Sequence, residues 1–261
     1  MTRKTEPRTA QRVLIFSLPR SGSSSLLKIL NCHPQIECGF EPFNPATKLG
    51  KKFHFRIHDE AGLERALAKV WKLYNGIKHV WNCNGLPFER EGQRLNHHLL
   101  EVAGAKVIFL KRHNMLRRIV SGEISRQSGQ WSSDVVARRK IRRSNFEPID
   151  IAELQGQLER ELAGIDACRE RLIGARIPFF DLWYEDLFGE WDPVEGCEEK
   201  VDQIIEFLDL PPFDSRARVR VRRLLDPLRG RVNSEATYER IPNIAEVERL
   251  LGADDTGRLF S

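Results

Sequence analysis

The sequence predicts an α/β fold: a single domain with a central parallel sheet flanked by helices. Three observations predict it. Short β-branched and apolar runs alternate with longer segments of helical periodicity, two of these runs feed directly into helices, and 261 residues at 41% hydrophobic content suffice for one large core. Right-handed crossovers are expected to join the strands and cover the sheet on both faces.

The elements follow in order. Residues 1–11 read as an N-terminal tail, charged and without an apolar segment, and 12–261 as the folded domain. Arg12–Leu18 (RVLIFSL) is the first strand, and Pro19–Ser25 a tight loop into a helix through Leu26, Leu27, Ile29 and Leu30. That helix stops near Asn31–Pro34, because a residue before proline avoids the helical region. An extended piece at Ile36–Cys38 leads into the proline-rich turn Glu41–Pro45. Residues 60–74 place Leu63, Ala66, Leu67, Val70, Leu73 and Tyr74 on one helical face, and Lys78–Trp81 reads as a strand. A helix at Asn96–Ala103 precedes the buried strand Lys106–Leu110, and Met115–Arg126 is helical. The stretch 128–150, with weak periodicity, reads as a mobile or partly helical substrate loop. A long amphipathic helix, Ile151–Ile173, precedes a last strand at Ile177–Leu182, and the remainder is mostly helical.

Composition narrows the function classes. The net charge is +5, and the surplus Lys and Arg cluster in 111–143 and 216–231, which suits either solvated helix faces or an anionic ligand. Five scattered cysteines without a C-x-x-C pair signal neither a disulfide framework nor a zinc site, and fit a reducing compartment. With no run of eighteen apolar residues, no transmembrane segment is expected, and the expected location is cytoplasmic. His54 and His58, like His97 and His98, lack a third ligand nearby and read as surface or acceptor-site residues, so no metal site is expected.

The first loop carries the chemistry. Gly22 permits close backbone approach, small serines leave amides uncovered, and a helix begins there with its positive dipole end. Serine runs also cap helices without binding anything. Arg20 shifts that balance, because a guanidinium at the mouth of an amide nest is suited to a phosphate and has no role in capping. The loop has one Gly and no following Lys, which departs from the Walker A pattern of magnesium-nucleotide enzymes.

Pro19-Arg20-Ser21-Gly22-Ser23-Ser24-Ser25-Leu26 resembles the 5'-phosphosulfate loop of carbohydrate and tyrosylprotein sulfotransferases and their bacterial relatives. The resemblance implies a P-loop-like sulfotransferase fold that uses 3'-phosphoadenosine 5'-phosphosulfate (PAPS) and releases 3'-phosphoadenosine 5'-phosphate (PAP) without a metal. It assigns the 5'-phosphosulfate to Arg20, Ser21, Gly22, Ser23, Ser24 and Ser25. It assigns the 3'-phosphate to Arg112 and to Ser121, which stands one residue further on than in the family's spacing, with Arg126 as a further contact. The segment Asp181–Leu187 resembles the Tyr-Glu-Asp-Leu segment of bacterial members, making Tyr184 either a cofactor contact or a half-buried tyrosine with a satisfied hydroxyl. Tyr238–Asn243 also has the family's look and offers Arg240 as a last phosphate contact. The segment His33–Glu41 resembles that preceding the family's base, which assigns the base to Glu41, with Glu37 as its nearest rival.

The implied function is transfer of a sulfuryl group to an acceptor hydroxyl, on a carbohydrate or glycolipid by resemblance, with no nucleic-acid partner. Trp131 in the 128–150 loop is a candidate stacking platform. Two alternatives stand beside it: a P-loop kinase acting on a small molecule, and a non-enzymatic binder of polyanions or nucleic acid. Oligomeric state is left open by the sequence.

Overall fold

The computed structural model describes residues 11–88, 91–131, 135–188, 194–226 and 235–260. Most of the expected N-terminal tail, 1–10, and positions 132–134 of the expected substrate loop lie outside the described residues. Five strands form one sheet: β1 (Val13–Ser17), β2 (Cys38–Phe40), β3 (Gly76–Val80), β4 (Lys106–Lys111) and β5 (Phe179–Trp183). Their order is β2-β3-β1-β4-β5, and every pairing is parallel. The expected α/β class and single parallel sheet are therefore present.

Helices fill the connections. They are α1 (Ser23–Leu30), α2 (Lys48–Phe53), α3 (Glu60–Val70), α4 (Gly92–Val102), α5 (Met115–Ser128), α6 (Val135–Ile141) and α7 (Ile151–Gly174). After β5 come α8 (Glu185–Phe188), α9 (Val194–Phe207), α10 (Ser215–Leu225), α11 (Glu235–Tyr238) and α12 (Ile244–Leu251). The short strands differ from expectation by about two residues, since β2 and β5 both begin later, and α4 begins four residues before the expected Asn96. Gly92 permits that earlier start: its own position is packed against Gly85, where a Cβ would strike the Gly85 backbone.

Alternation along β1 shows why the sheet is covered on both sides. Leu14 and Phe16 join one core with Leu63, Leu95, Leu116, Leu158 and Val247, whereas Val13 and Ile15 join another with Leu26, Ile29, Val201 and Val221. Both sets are removed from water, so the central strand reads as continuously apolar. The chain leaves β1 toward β3 and β2 on one side and later toward β4 and β5 on the other. A crevice therefore opens at the carboxyl ends of β1 and β4, the position at which open α/β sheets receive ligands.

The stretch 128–150 contains α6 and is tied down along its second half. Asn243 exchanges two hydrogen bonds with the Ile149 backbone, Gln127 exchanges two with the Glu147 backbone, and Phe146 and Ile149 are buried. Among the described residues no helix is long and apolar enough to cross a membrane. All five cysteines are free thiols.

Candidate functional site

Strands β1, β2, β4 and β5 are each followed by a candidate residue at the same edge of the sheet. Register places Ser17 beside both Val80 and Leu110, so the chain segments following β1 and β4 leave side by side and β3 ends level with them. Arg20 follows β1, Glu41 follows β2, Arg112 follows β4 and Tyr184 follows β5, while Lys78, the middle residue of β3, pairs with Phe40 at the end of β2.

The Ser21–Ser25 loop has the backbone of an anion nest. Arg20 and Gly22 both have left-handed φ angles, 62° and 83°, and α1 starts immediately after with no side chain capping it. In that first turn the Ser25 amide donates to the Gly22 carbonyl at 2.9 Å, so the amides that α1 leaves without an acceptor in the helix are those of Ser23 and Ser24. Glycine is required at position 22 on a second ground: a Cβ there would lie 2.5 Å from Cδ2 of Tyr184. Tyr184 thus closes over the loop, with Phe188 behind it at 5.1 Å and the Arg112 guanidinium 4.5 Å from its ring centroid.

Two arginines meet here from opposite sides of the crevice. Arg112 donates to the Arg20 carbonyl at 3.3 Å, while Arg20 donates to the Ser121 hydroxyl at 3.0 Å and to the Trp131 carbonyl at 3.2 Å. Burial lowers the Arg20 pKa, and the charge of Arg112 lowers it further. Glu185 approaches Arg112 at 3.8 Å but makes its hydrogen bonds to the amides of His113 and Asn114. Among the described residues, the Ser17 and Ser21 hydroxyls and Nε of Arg112 are buried without hydrogen-bond partners. Buried polar atoms ordinarily have partners, so these donors are an unmet demand beside the cationic loop.

Glu41 is joined to the loop by a lysine. Lys78 Nζ donates to Glu41 Oε1 at 2.6 Å and to the Ser24 hydroxyl at 2.9 Å, and Asn44 donates to Glu41 Oε2 at 2.7 Å. These contacts leave carboxylate lone pairs for a further proton or donor. Burial lowers the Lys78 pKa; the Glu41 carboxylate opposes that and Arg20 reinforces it. Glu37 precedes β2 and so stands at its amino end, away from the loop, which separates it from Glu41.

The sequence alone does not distinguish Lys78; its one signal there is a charged residue opening the strand segment Lys78–Trp81. The alternation of the strand turns Lys78 and His79 to opposite faces. His79 packs among Phe16, Phe43 and Phe88 and donates to Asn96 at 2.7 Å, which makes it part of the core.

Two expected phosphate contacts are engaged elsewhere. Arg126 forms an ion pair with Glu123, its side chain 70% exposed. Arg240 donates to the carbonyls of Ile141 and Ser144, where it binds the end of α6, with its guanidinium 5.2 Å from the Phe146 ring. From the same segment it is Tyr238 that is buried within electrostatic reach of Arg112, Arg117 and Arg20; burial raises its pKa and those cations oppose the rise.

No protein-family model and no curated protein matches this chain. Its chemistry is accordingly read from the geometry: a cationic amide nest with unfilled donors, and a carboxylate tethered to that nest through Lys78 and Ser24. Such an arrangement can hold an anionic group and remove a proton from a neighbouring hydroxyl.

Proposed function

We propose that this chain is a sulfotransferase that moves a sulfuryl group from PAPS to an acceptor hydroxyl of the carbohydrate or glycolipid class and releases PAP. The observation that carries the reading is the tether Ser24–Lys78–Glu41, which joins a carboxylate to the same loop on which Arg20 and Arg112 converge. A nest by itself suits any phosphate. A base held beside it suits transfer to a hydroxyl.

Bound PAPS supplies an electrophilic sulfur with a phosphate oxygen as its leaving group. The amides of Ser21–Ser24 and the Arg20 guanidinium hold the 5'-phosphosulfate, and Arg112 takes the 3'-phosphate. Ser121, hydrogen-bonded to Arg20, orients that guanidinium. Glu41 accepts the acceptor's proton as the acceptor oxygen bonds to sulfur, and Arg20 balances the charge left on the 5'-phosphate oxygen when its bond to sulfur breaks. Lys78 fixes the Glu41 carboxylate relative to Ser24 and adds positive charge. Since these side chains balance the charge, the reaction proposed is metal-independent. Five free thiols suit its operation in the cytoplasm.

Thermal unfolding with PAP, with magnesium ATP and with RNA tests the reading. PAP without magnesium is expected to stabilise by about 3 kcal/mol at one hundred times its Kd, whereas ATP and RNA give little. In Glu41→Gln, PAP stabilisation is retained while PAPS turnover falls at least about a hundredfold, in line with loss of a general base. Stabilisation by magnesium ATP or RNA but not by PAP overturns the proposal, and full turnover in Glu41→Gln removes Glu41 as the base.

A further inference from the structure

An open cavity of about 680 Å³ adjoins the site and has a distinct chemistry. Phe40, Leu49, Tyr74 and Trp131 supply its apolar wall, and Lys48 and Lys52 are the only charged residues among those described in its lining. Lys48 and Lys52 stand one turn apart on α2, on one face of that helix. Phe40 is 41% and Trp131 58% exposed, so two large rings face water where a ligand would cover them.

The cavity is built from the same residues that hold the site. Phe40 immediately precedes Glu41, and Lys78 Nζ lies 3.9 Å from the Phe40 ring centroid. Trp131 carries the carbonyl that binds Arg20, and Thr47, also in the lining, donates to the Glu41 carbonyl at 3.0 Å. A molecule seated against Phe40 and Trp131 therefore has the Glu41–Arg20 centre at its edge.

We infer that the acceptor joins an apolar or aromatic body to an anionic group: the body lies between Phe40 and Trp131, the anion meets Lys48 and Lys52, and the reacting hydroxyl points to Glu41. The assignment of the hydroxyl rests on the sulfotransferase reading, but the binding does not. A glycolipid bearing an acidic group belongs to this class, and an unsubstituted neutral sugar does not. Among the described residues of the wall two lysines stand with no carboxylate, which favours an anion over a neutral or cationic ligand, and the volume suits a ligand of several rings.

Isothermal titration calorimetry of the full chain, with and without PAP, tests this with 6-hydroxy-2-naphthoate, 2-naphthol and glucuronate as probes. The naphthoate is expected to bind about tenfold more tightly than the naphthol, as two exposed charge contacts allow. Glucuronate, which has the anion without the apolar body, binds more weakly than either. In Lys48→Ala/Lys52→Ala the preference for naphthoate collapses toward unity, and Trp131→Ala weakens both naphthalene ligands. Equal binding of naphthoate and naphthol, tightest binding of glucuronate, or an unchanged preference in the double variant overturns the inference. Naphthoate binding that depends on Lys48 and Lys52 upholds it even where PAP fails to bind, an outcome that overturns the sulfotransferase reading alone.

Discussion

Single residues at this site are fixed by backbone conformation as much as by side-chain chemistry. Gly22 sits at φ 83° with the Tyr184 ring where its Cβ would be. Gly22→Ala is expected to lower the free energy of unfolding by about 1–2 kcal/mol through the left-handed backbone alone, and further through the contact. Adding Tyr184→Ala recovers the contact part and leaves the backbone part, which urea unfolding of the two variants measures. Gly22 was legible because a glycine between a strand and a serine run invites a tight turn. Lys78 was not, because it reads as part of the strand Lys78–Trp81, and nothing local shows that its side chain lies between Ser24 and Glu41.

At the scale of elements, a buried ion pair fixes the loop to the helix layer. Arg118 of α5 and Glu161 of α7 are paired with side chains 2% and 3% exposed, and Arg118 also donates to the Pro19 carbonyl at 3.0 Å. The segment entering the nest is therefore held by a charge that cannot be removed singly at low cost. Arg118→Met is expected to cost about 3–5 kcal/mol because it strands the Glu161 carboxylate, and Arg118→Met/Glu161→Met to cost less. A double-mutant cycle by urea unfolding checks this, and equal costs for the single and double variants would contradict it. In the sequence Arg118 is one of the basic residues clustered in 111–143, and its basic neighbours hide a single buried position. Arg126 and Arg240 show the converse: resemblance offers each as a phosphate ligand, but Glu123 one turn away and the end of α6 engage them.

For the whole molecule, the core contributes a titration that the surface does not. Burial lowers the His79 pKa from 6.5 to about 4, with the Asn96 hydrogen bond and the Glu41 charge opposing the shift. The unfolded chain therefore takes up this proton before the folded one, so stability is full above pH 6.5 and falls as pH drops toward 4. At pH 4.5 the loss from this group is about 2–3 kcal/mol. His79→Gln, which keeps a neutral donor for Asn96, should show a smaller decline between pH 7 and pH 4.5 in urea unfolding. Identical declines in the two proteins would place the acid sensitivity elsewhere.

The sequence by itself determined the α/β class, the strand-loop-helix unit that carries Arg20 and Gly22, and the strand that precedes Arg112, because apolar periodicity and turn residues act over a few neighbours. The strand order β2-β3-β1-β4-β5 was decided only in three dimensions. That order brings Arg112 to the Arg20 carbonyl, Lys78 between Ser24 and Glu41, and Trp131 to the Arg20 guanidinium. These contacts join residues 37 to 111 positions apart, with the exception of none that a local pattern encodes. Their partners are selected by which strands pair and which faces bury, and both follow from packing the whole sheet against its helices.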